Sequence, residues 1–194
     1  MKAEMSSHQY FTLPDGRRIA YRHNQGKGPL IAFLPGYMSD MDGGKATTLL
    51  EAARAKGHGC LLLDYSGCGK SDGDFANGTL SVWRDEVLAV IDHVTDGPII
   101  LVGSSMGGWL MLVVGMALGE RLAGMVGIAA APDFSDWGYS DEQKENLACG
   151  KTIFEDNPYG PEPTPTHAQF WQDAQDQLLL GGEIAIDCPI RLLH

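Results

Sequence analysis

Short apolar runs, each bounded by glycine or proline, alternate along the chain with stretches of helical periodicity. PLIAFLPG (29–36), CLLLDYSG (60–67), PIILVG (98–103) and LAGMVGIAAA (122–131) are continuous rather than alternating. Runs of that length suit strands buried on both faces of a parallel sheet. Between them, Gly44 to Lys56 places Leu49, Leu50 and Ala53 on one face and stops at Gly57. LSVWRDEVLAVIDHV (80–94) keeps Trp83, Val87, Val90, Ile91 and Val94 in helical spacing behind a capping Thr79, and MGGWLMLVVGMALG (106–119) is apolar almost all round. Upstream, QYFTL and RRIAYRHN flank a PDG turn and read as a hairpin. Strands alternating with helices in this way predict an α/β fold with a mostly parallel central sheet and helices on both faces.

From Asp133 to Glu183 the pattern changes. The segment is polar and acidic, and NPYGPEPTPT (157–166) holds four prolines in ten residues. Two helix starts stand out, because Ser140 with Gln143 and Thr166 with Gln169 have capping-box spacing. The second helix carries Phe170, Ala174, Gln177 and Leu178 toward Gly181-Gly182. We read 133–183 as a cap or lid excursion within one domain spanning 1–194, after which CPIRLLH (188–194) returns to strand character.

Composition narrows the function classes. A formal net charge of −11 disfavours a nucleic-acid partner and gives no attraction to anionic membrane surfaces. No apolar run approaches the roughly 18 residues of a membrane span, so no stable membrane insertion is expected. MKAEMSSHQYFTLPDG has no apolar core of a secretory signal. Cys60, Cys68, Cys149 and Cys188 form no CxxC pair and the six histidines show no ligand spacing, so neither a metal site nor a disulfide framework is expected. Four reduced thiols without a signal point to a cytoplasmic location.

The candidate chemistry lies in GSSMG (103–107). Only one register reads G-x-S-x-G, with Gly103 and Gly107 about Ser105; for Ser104 the flanking positions are Val102 and Met106, both too large. A nucleophile held between a strand and a helix needs a sharp, strained turn with nearly side-chain-free neighbours two positions away. That turn puts the Met106 N–H beside the serine at the positive end of a helix, where an oxyanion would be held. A second donor is expected from the Tyr37 N–H, in the loop after PLIAFLPG. DYSGCGKSDG (64–73) invites a nucleotide reading and fails it. A P-loop requires glycine where Asp64 stands, and a dinucleotide fingerprint has its third glycine misplaced and no helix opening until about Thr79.

Taken in order, the PGY loop, DYSGCGKSDG, GSSMGGW and CPIRLLH resemble the α/β-hydrolase superfamily. FLPGYMSDMDGGKA, LLDYSGCGKSDG and DGPIILVGSSMGGWLML are similar to a smaller group in it, the animal mitochondrial palmitoyl-protein thioesterases, also described as acyl-glucuronide esterases, and their bacterial relatives. The resemblance implies a Ser-Asp-His triad, no cofactor and no metal, with small-molecule or acylated-protein esters or thioesters as substrates. It also implies that the acid and then the histidine follow the CPIRLLH strand, beyond His194. Asp133, after the LAGMVGI strand, is the in-chain candidate for the acid. No in-chain histidine is marked as the base: His167 falls at a helix start, His194 in a strand pattern, and His8, His23, His58 and His93 precede the nucleophile. We therefore expect an ester or thioester hydrolase acting through an acyl-enzyme on Ser105, inactive and poorly stable as a C-terminally incomplete chain. The alternative is a non-catalytic binding protein of the same fold. Phe134, Trp137, Phe154, Tyr159, Phe170 and Trp171 either line an acyl pocket or pack the excursion onto the core.

Overall fold

The computed structural model describes residues 7–157 and 160–194. Strands β1 (Gln9–Thr12) and β2 (Arg18–Asn24) form the hairpin. Strand β3 (Lys27–Leu34), helix α1 (Gly44–Ala55), strand β4 (His58–Leu63), helix α2 (Leu80–Val94), strand β5 (Ile99–Ser104), helix α3 (Met106–Leu118) and strand β6 (Leu122–Ile128) follow. The excursion carries α4 (Phe134–Trp137), α5 (Asp141–Ala148), β7 (Ile153–Glu155), β8 (Thr164–Thr166) and α6 (Ala168–Gln175), and β9 (Ile190–Leu193) rejoins the sheet.

The seven-stranded sheet has the order β1-β2-β4-β3-β5-β6-β9. Its first two pairings are antiparallel and the other four parallel. The apolar runs turn out to be two-faced. In β3, Leu30, Ala32 and Leu34 meet α2 and α3, whereas Ile31 and Phe33 meet α1. In β4, Leu61 and Leu63 take the first face and Cys60 and Leu62 the second. A strand buried on both faces has no polar side to show, so its sequence cannot alternate. The faces are covered unequally. Helices α2 and α3 fill one side, while α1 alone leaves a groove beside Phe33, Leu49, Val102 and Ile128. Strand β9 is an edge with every side chain exposed, Leu192 at 72%.

DYSGCGKSDG is a structural knot. Asp64 is 1% exposed, and its carboxylate accepts from the Met41 N–H at 2.7 Å and the Lys70 N–H at 2.9 Å. Burial pushes its carboxyl above the usual carboxylate range, against the pull of those two donors. Gly69 sits at φ +53°, where a Cβ would strike that carboxylate, which is why glycine stands there. The Tyr65 hydroxyl donates to the Pro35 carbonyl at 3.0 Å, and its ring stacks on buried Trp83. Asp64 and Tyr65 thus pin both ends of the loop after β3, the loop that carries Tyr37.

Two expectations about the excursion are corrected. Ser140 and Gln143 do form the reciprocal capping box of α5, and Thr79 caps α2. Thr166, however, ends β8, and its hydroxyl meets the buried Tyr139 hydroxyl at 2.9 Å; His167 occupies the cap position of α6 without a side-chain capping bond. The competing partner is tertiary, since Thr166 is 1% exposed and needs its hydroxyl satisfied inside. Helix α6 also stops at Gln175 rather than continuing through Leu178, because the Gln177 carbonyl turns to accept the Trp109 indole N–H at 3.0 Å.

Candidate active site

Ser105 is the hinge between β5 and α3. Its φ of 53° and ψ of −122° are sparsely populated for a residue with a side chain. The surrounding chain over-determines that conformation. The Ser105 N–H donates to the Ile128 carbonyl at 3.0 Å, and the Ser105 carbonyl accepts from the Gly108 and Ala131 N–H groups at 2.8 and 3.1 Å. A Cβ on Gly103 would strike the Gly107 carbonyl and lie 2.8 Å from the Gly108 Cα; one on Gly107 would strike the Leu34 and Pro35 carbonyls. The two glycines are thus required by backbone packing across the turn, and Gly107 also lets β3 approach. Ser105 is exposed while Ser104 is buried.

The serine opens into a cleft of about 270 Å³ shared with Tyr37 and Met106. The loop after β3 comes close as well: a Cβ on Gly36 would lie 3.3 Å from the Ser105 Cβ. Among the described residues no acceptor occupies the Met106 or Tyr37 backbone N–H. The Tyr37 side chain has a separate task. Its hydroxyl donates to the Pro165 carbonyl at 3.1 Å, tying β8 to the sheet, and its ring lies 5.0 Å from both Phe75 and Phe170. Burial pushes the Tyr37 phenol far up, and the Tyr139 phenol up to about 12, so both stay neutral hydrogen-bonding groups.

The aromatic residues of the excursion divide. Phe134 and Trp137 line the cleft, joined by Tyr139, Thr164, Thr166 and Glu155. Phe170 is 1% exposed and belongs to the core, and the Trp171 indole N–H donates to the Ser135 carbonyl at 3.1 Å. Phe154 points outward, 65% exposed. Tyr159 lies outside the described residues. Sequence reasoning missed Tyr139, Glu155, Thr164 and Thr166. Glu155 lies on β7, Thr164 and Thr166 on β8, and Tyr139 between α4 and α5, and only tertiary packing of the excursion carries them to the serine.

Asp133 is 5% exposed with a left-handed backbone (φ 56°), and its carboxylate accepts from the Leu179 N–H at 2.9 Å and the Leu180 N–H at 2.7 Å. It clamps the exit of the excursion to its entrance. Among the described residues no histidine is bonded to Asp133 or Ser105. His8 meets Arg22, His58 the Lys27 carbonyl and His167 the Thr152 hydroxyl. His93 packs on Phe11 and Tyr21, His23 lines a hollow with Gly26 and Gly97, and His194 is exposed. No group of three or more potential metal ligands occurs among the described residues, and no helix there is long and apolar enough to cross a membrane.

A parallel sheet, a strained serine between strand and helix and a capped cleft above it define an α/β-hydrolase architecture. The chain belongs to the alpha/beta hydrolase family, whose profile matches residues 31–187. It is 38% identical over 195 residues to the human mitochondrial palmitoyl-protein thioesterase ABHD10, a match covering 98% of this chain and 64% of that protein. The mouse counterpart is 40% identical over 199 residues, covering 100% and 65%. The chain therefore spans less than two thirds of the length of these curated relatives. Among solved structures, mouse alpha/beta hydrolase domain-containing protein 10 superposes with a TM-score of 0.87 at 36% identity, covering 97% of this chain and 77% of that one. A putative hydrolase from Agrobacterium vitis S4 gives 0.87 at 35%, covering 96% and 77%. These relatives correct the cytoplasmic expectation: the curated animal proteins are mitochondrial. Cysteine usage in the sequence does not say which compartment a chain occupies.

Proposed function

We propose that the protein is a serine hydrolase of carboxylic esters or thioesters in which Ser105 is acylated. The observation carrying this reading is the strained, exposed Ser105 at the mouth of an aromatic-lined cleft. The Ser105 Oγ attacks the acyl carbon as its proton passes to a histidine. The carbonyl oxygen, now an anion, is held by the Met106 and Tyr37 N–H groups; the alcohol or thiol leaves with a proton, and water releases the acid. Phe134 and Trp137 cover the acyl chain. The relatives named as palmitoyl-protein thioesterases support a long acyl chain and a thioester. The acid and the histidine of the triad are assigned to residues following β9, in the order Ser, acid, His of this fold. Asp133 is given the clamp role instead.

The test is labelling by a fluorophosphonate probe of a protein extended past His194 to the relatives' length. Ser105→Ala abolishes labelling and thioester turnover, and Ser104→Ala keeps both. Labelling that survives Ser105→Ala overturns the assignment. A clear preference for anilides over a thioester series of increasing chain length overturns the substrate class.

A further inference from the structure

The β7–β8 ribbon has two outer edges, and its register makes them unequal. The cross-strand pairs are Ile153 with Thr166, Phe154 with Pro165 and Glu155 with Thr164. Antiparallel partners alternate between pairs that exchange both main-chain bonds and pairs that exchange none. Proline has no N–H, so Phe154 and Pro165 form a pair of the second kind, and the ladder bonds fall at Ile153–Thr166 and Glu155–Thr164. The outward groups of β8 therefore belong to Pro165 and, just before the strand, to Pro163. Neither offers a donor, and the Pro165 carbonyl already accepts from the Tyr37 hydroxyl. On β7 the outward groups are the Phe154 N–H and carbonyl, flanked by the Thr152 carbonyl and the Asp156 N–H. Among the described residues nothing bonds any of the four, and the Phe154 ring beside them is exposed.

An open edge of this kind accepts a further strand, with main-chain bonds supplying affinity and alternate side chains supplying selectivity. The ribbon also fixes where those side chains go. Glu155 lines the cleft that holds Ser105, whereas Phe154 faces outward. Side chains along a strand alternate between faces, so on an added strand every second residue points with Glu155 toward the cleft. Its neighbours lie beside the Phe154 ring, and the cap favours one charge on them. Residues 133–183 carry eleven carboxylates against Lys144 and Lys151, and Asp156 stands on the edge itself. The Lys151 ammonium is turned to Asn146 at 3.0 Å. A lysine or arginine beside Phe154 gains both this field and the face of the ring. Resting on the acyl-enzyme reading above, we infer that the β7 edge is a docking site for an extended cationic peptide, which pairs with Phe154 as a third strand and carries an S-acyl cysteine into the cleft. Small-molecule acyl donors have no strand to add and reach Ser105 without this edge.

The test uses the protein extended to the relatives' length. Its substrates are a short peptide with a central S-octanoyl cysteine between two lysines, and S-octanoyl mercaptoethanol, which has the thioester without a backbone. Phe154→Pro deletes the outward N–H without breaking a ladder bond. It lowers the peptide-to-mercaptoethanol ratio of kcat/KM by on the order of tenfold, mostly through the peptide's KM. Phe154→Ala keeps the N–H, loses the ring and lowers the ratio by about threefold. Methylating the peptide nitrogens one at a time tests the pairing without altering the protein: turnover falls at alternate positions and holds at those between. Exchanging the two lysines for glutamine weakens the peptide severalfold at low salt. A ratio unchanged by Phe154→Pro, or both substrates slowed alike, overturns the inference. So does a methylation pattern without alternation, or a glutamine peptide that performs as well as the lysine one. If neither thioester is turned over, fluorescence anisotropy of a labelled S-octyl thioether peptide separates the two readings. Binding that is lost in Phe154→Pro keeps the edge and strikes only the acyl-enzyme reading, whereas binding that is absent or indifferent to Phe154→Pro strikes both.

Discussion

Replacing Asp133 by asparagine separates a clamp from a catalytic acid. Asparagine tolerates the left-handed backbone at this position, so the φ of 56° survives the exchange. The carboxylate holds two donors, with the Leu179 N–H shared between its oxygens and the Leu180 N–H bonded to Oδ2 at 2.7 Å. The amide keeps one acceptor and turns an NH2 toward the other N–H. One charge-assisted bond is lost and a buried donor loses its partner, together about 2 kcal/mol. For a chain of this size that lowers Tm by about 4–8 °C. Asp133→Ala adds the loss of the second bond and the strain of alanine at positive φ, and reaches roughly 3–5 kcal/mol. Thermal and urea denaturation of the chain give these differences directly. In a protein extended to the relatives' length, Asp133→Asn should leave kcat within about threefold of the parent, since removing a triad acid costs on the order of 10⁴. An unchanged Tm, or a kcat collapse at unchanged Tm, refutes the clamp and returns Asp133 to the acid's place.

Three further outcomes are expected. Gly69→Ala drives a Cβ into the buried Asp64 carboxylate at φ +53°, so it should cost several kcal/mol or prevent folding, whereas Gly150→Ala, at positive φ with open space around it, should cost about 1 kcal/mol; urea denaturation distinguishes them. Burial pushes the Cys60 and Cys68 thiols up to about 12, so at pH 8 a thiol reagent should modify exposed Cys149 and leave those two intact. Because their folded values lie above the unfolded 9.0, the fold retains these protons while the unfolded chain releases them. Stability should therefore fall as pH rises from about 9 to 12, less steeply in Cys60→Val.

Much of this protein is legible from its chain alone. Apolar runs bounded by Gly and Pro located β3 to β6, and G-x-S-x-G located the strained strand-to-helix turn at position 105, because packing limits at such a turn are local and act through residues two positions away. Thr79 and the Ser140–Gln143 box were readable for the same reason, since a cap is completed within one turn of helix. Other features answer to partners distant in sequence. Thr166 lost its capping role to Tyr139, α6 ended where Trp109 needed a carbonyl, and Asp64 became a buried acceptor for Met41 and Lys70. The two-sidedness of the strands, the unequal cover of the sheet and the division of the cap aromatics between core and cleft likewise wait on docking. So does the place of Glu155. As one of many acidic residues it reads as solvated surface, and it acquires meaning only when the β7–β8 ribbon, held by the Tyr37 hydroxyl, brings it to the cleft above Ser105. Periodicity and turn chemistry are properties of neighbouring residues; which charge faces which cavity depends on how remote segments pack, and that was decided by the tertiary structure.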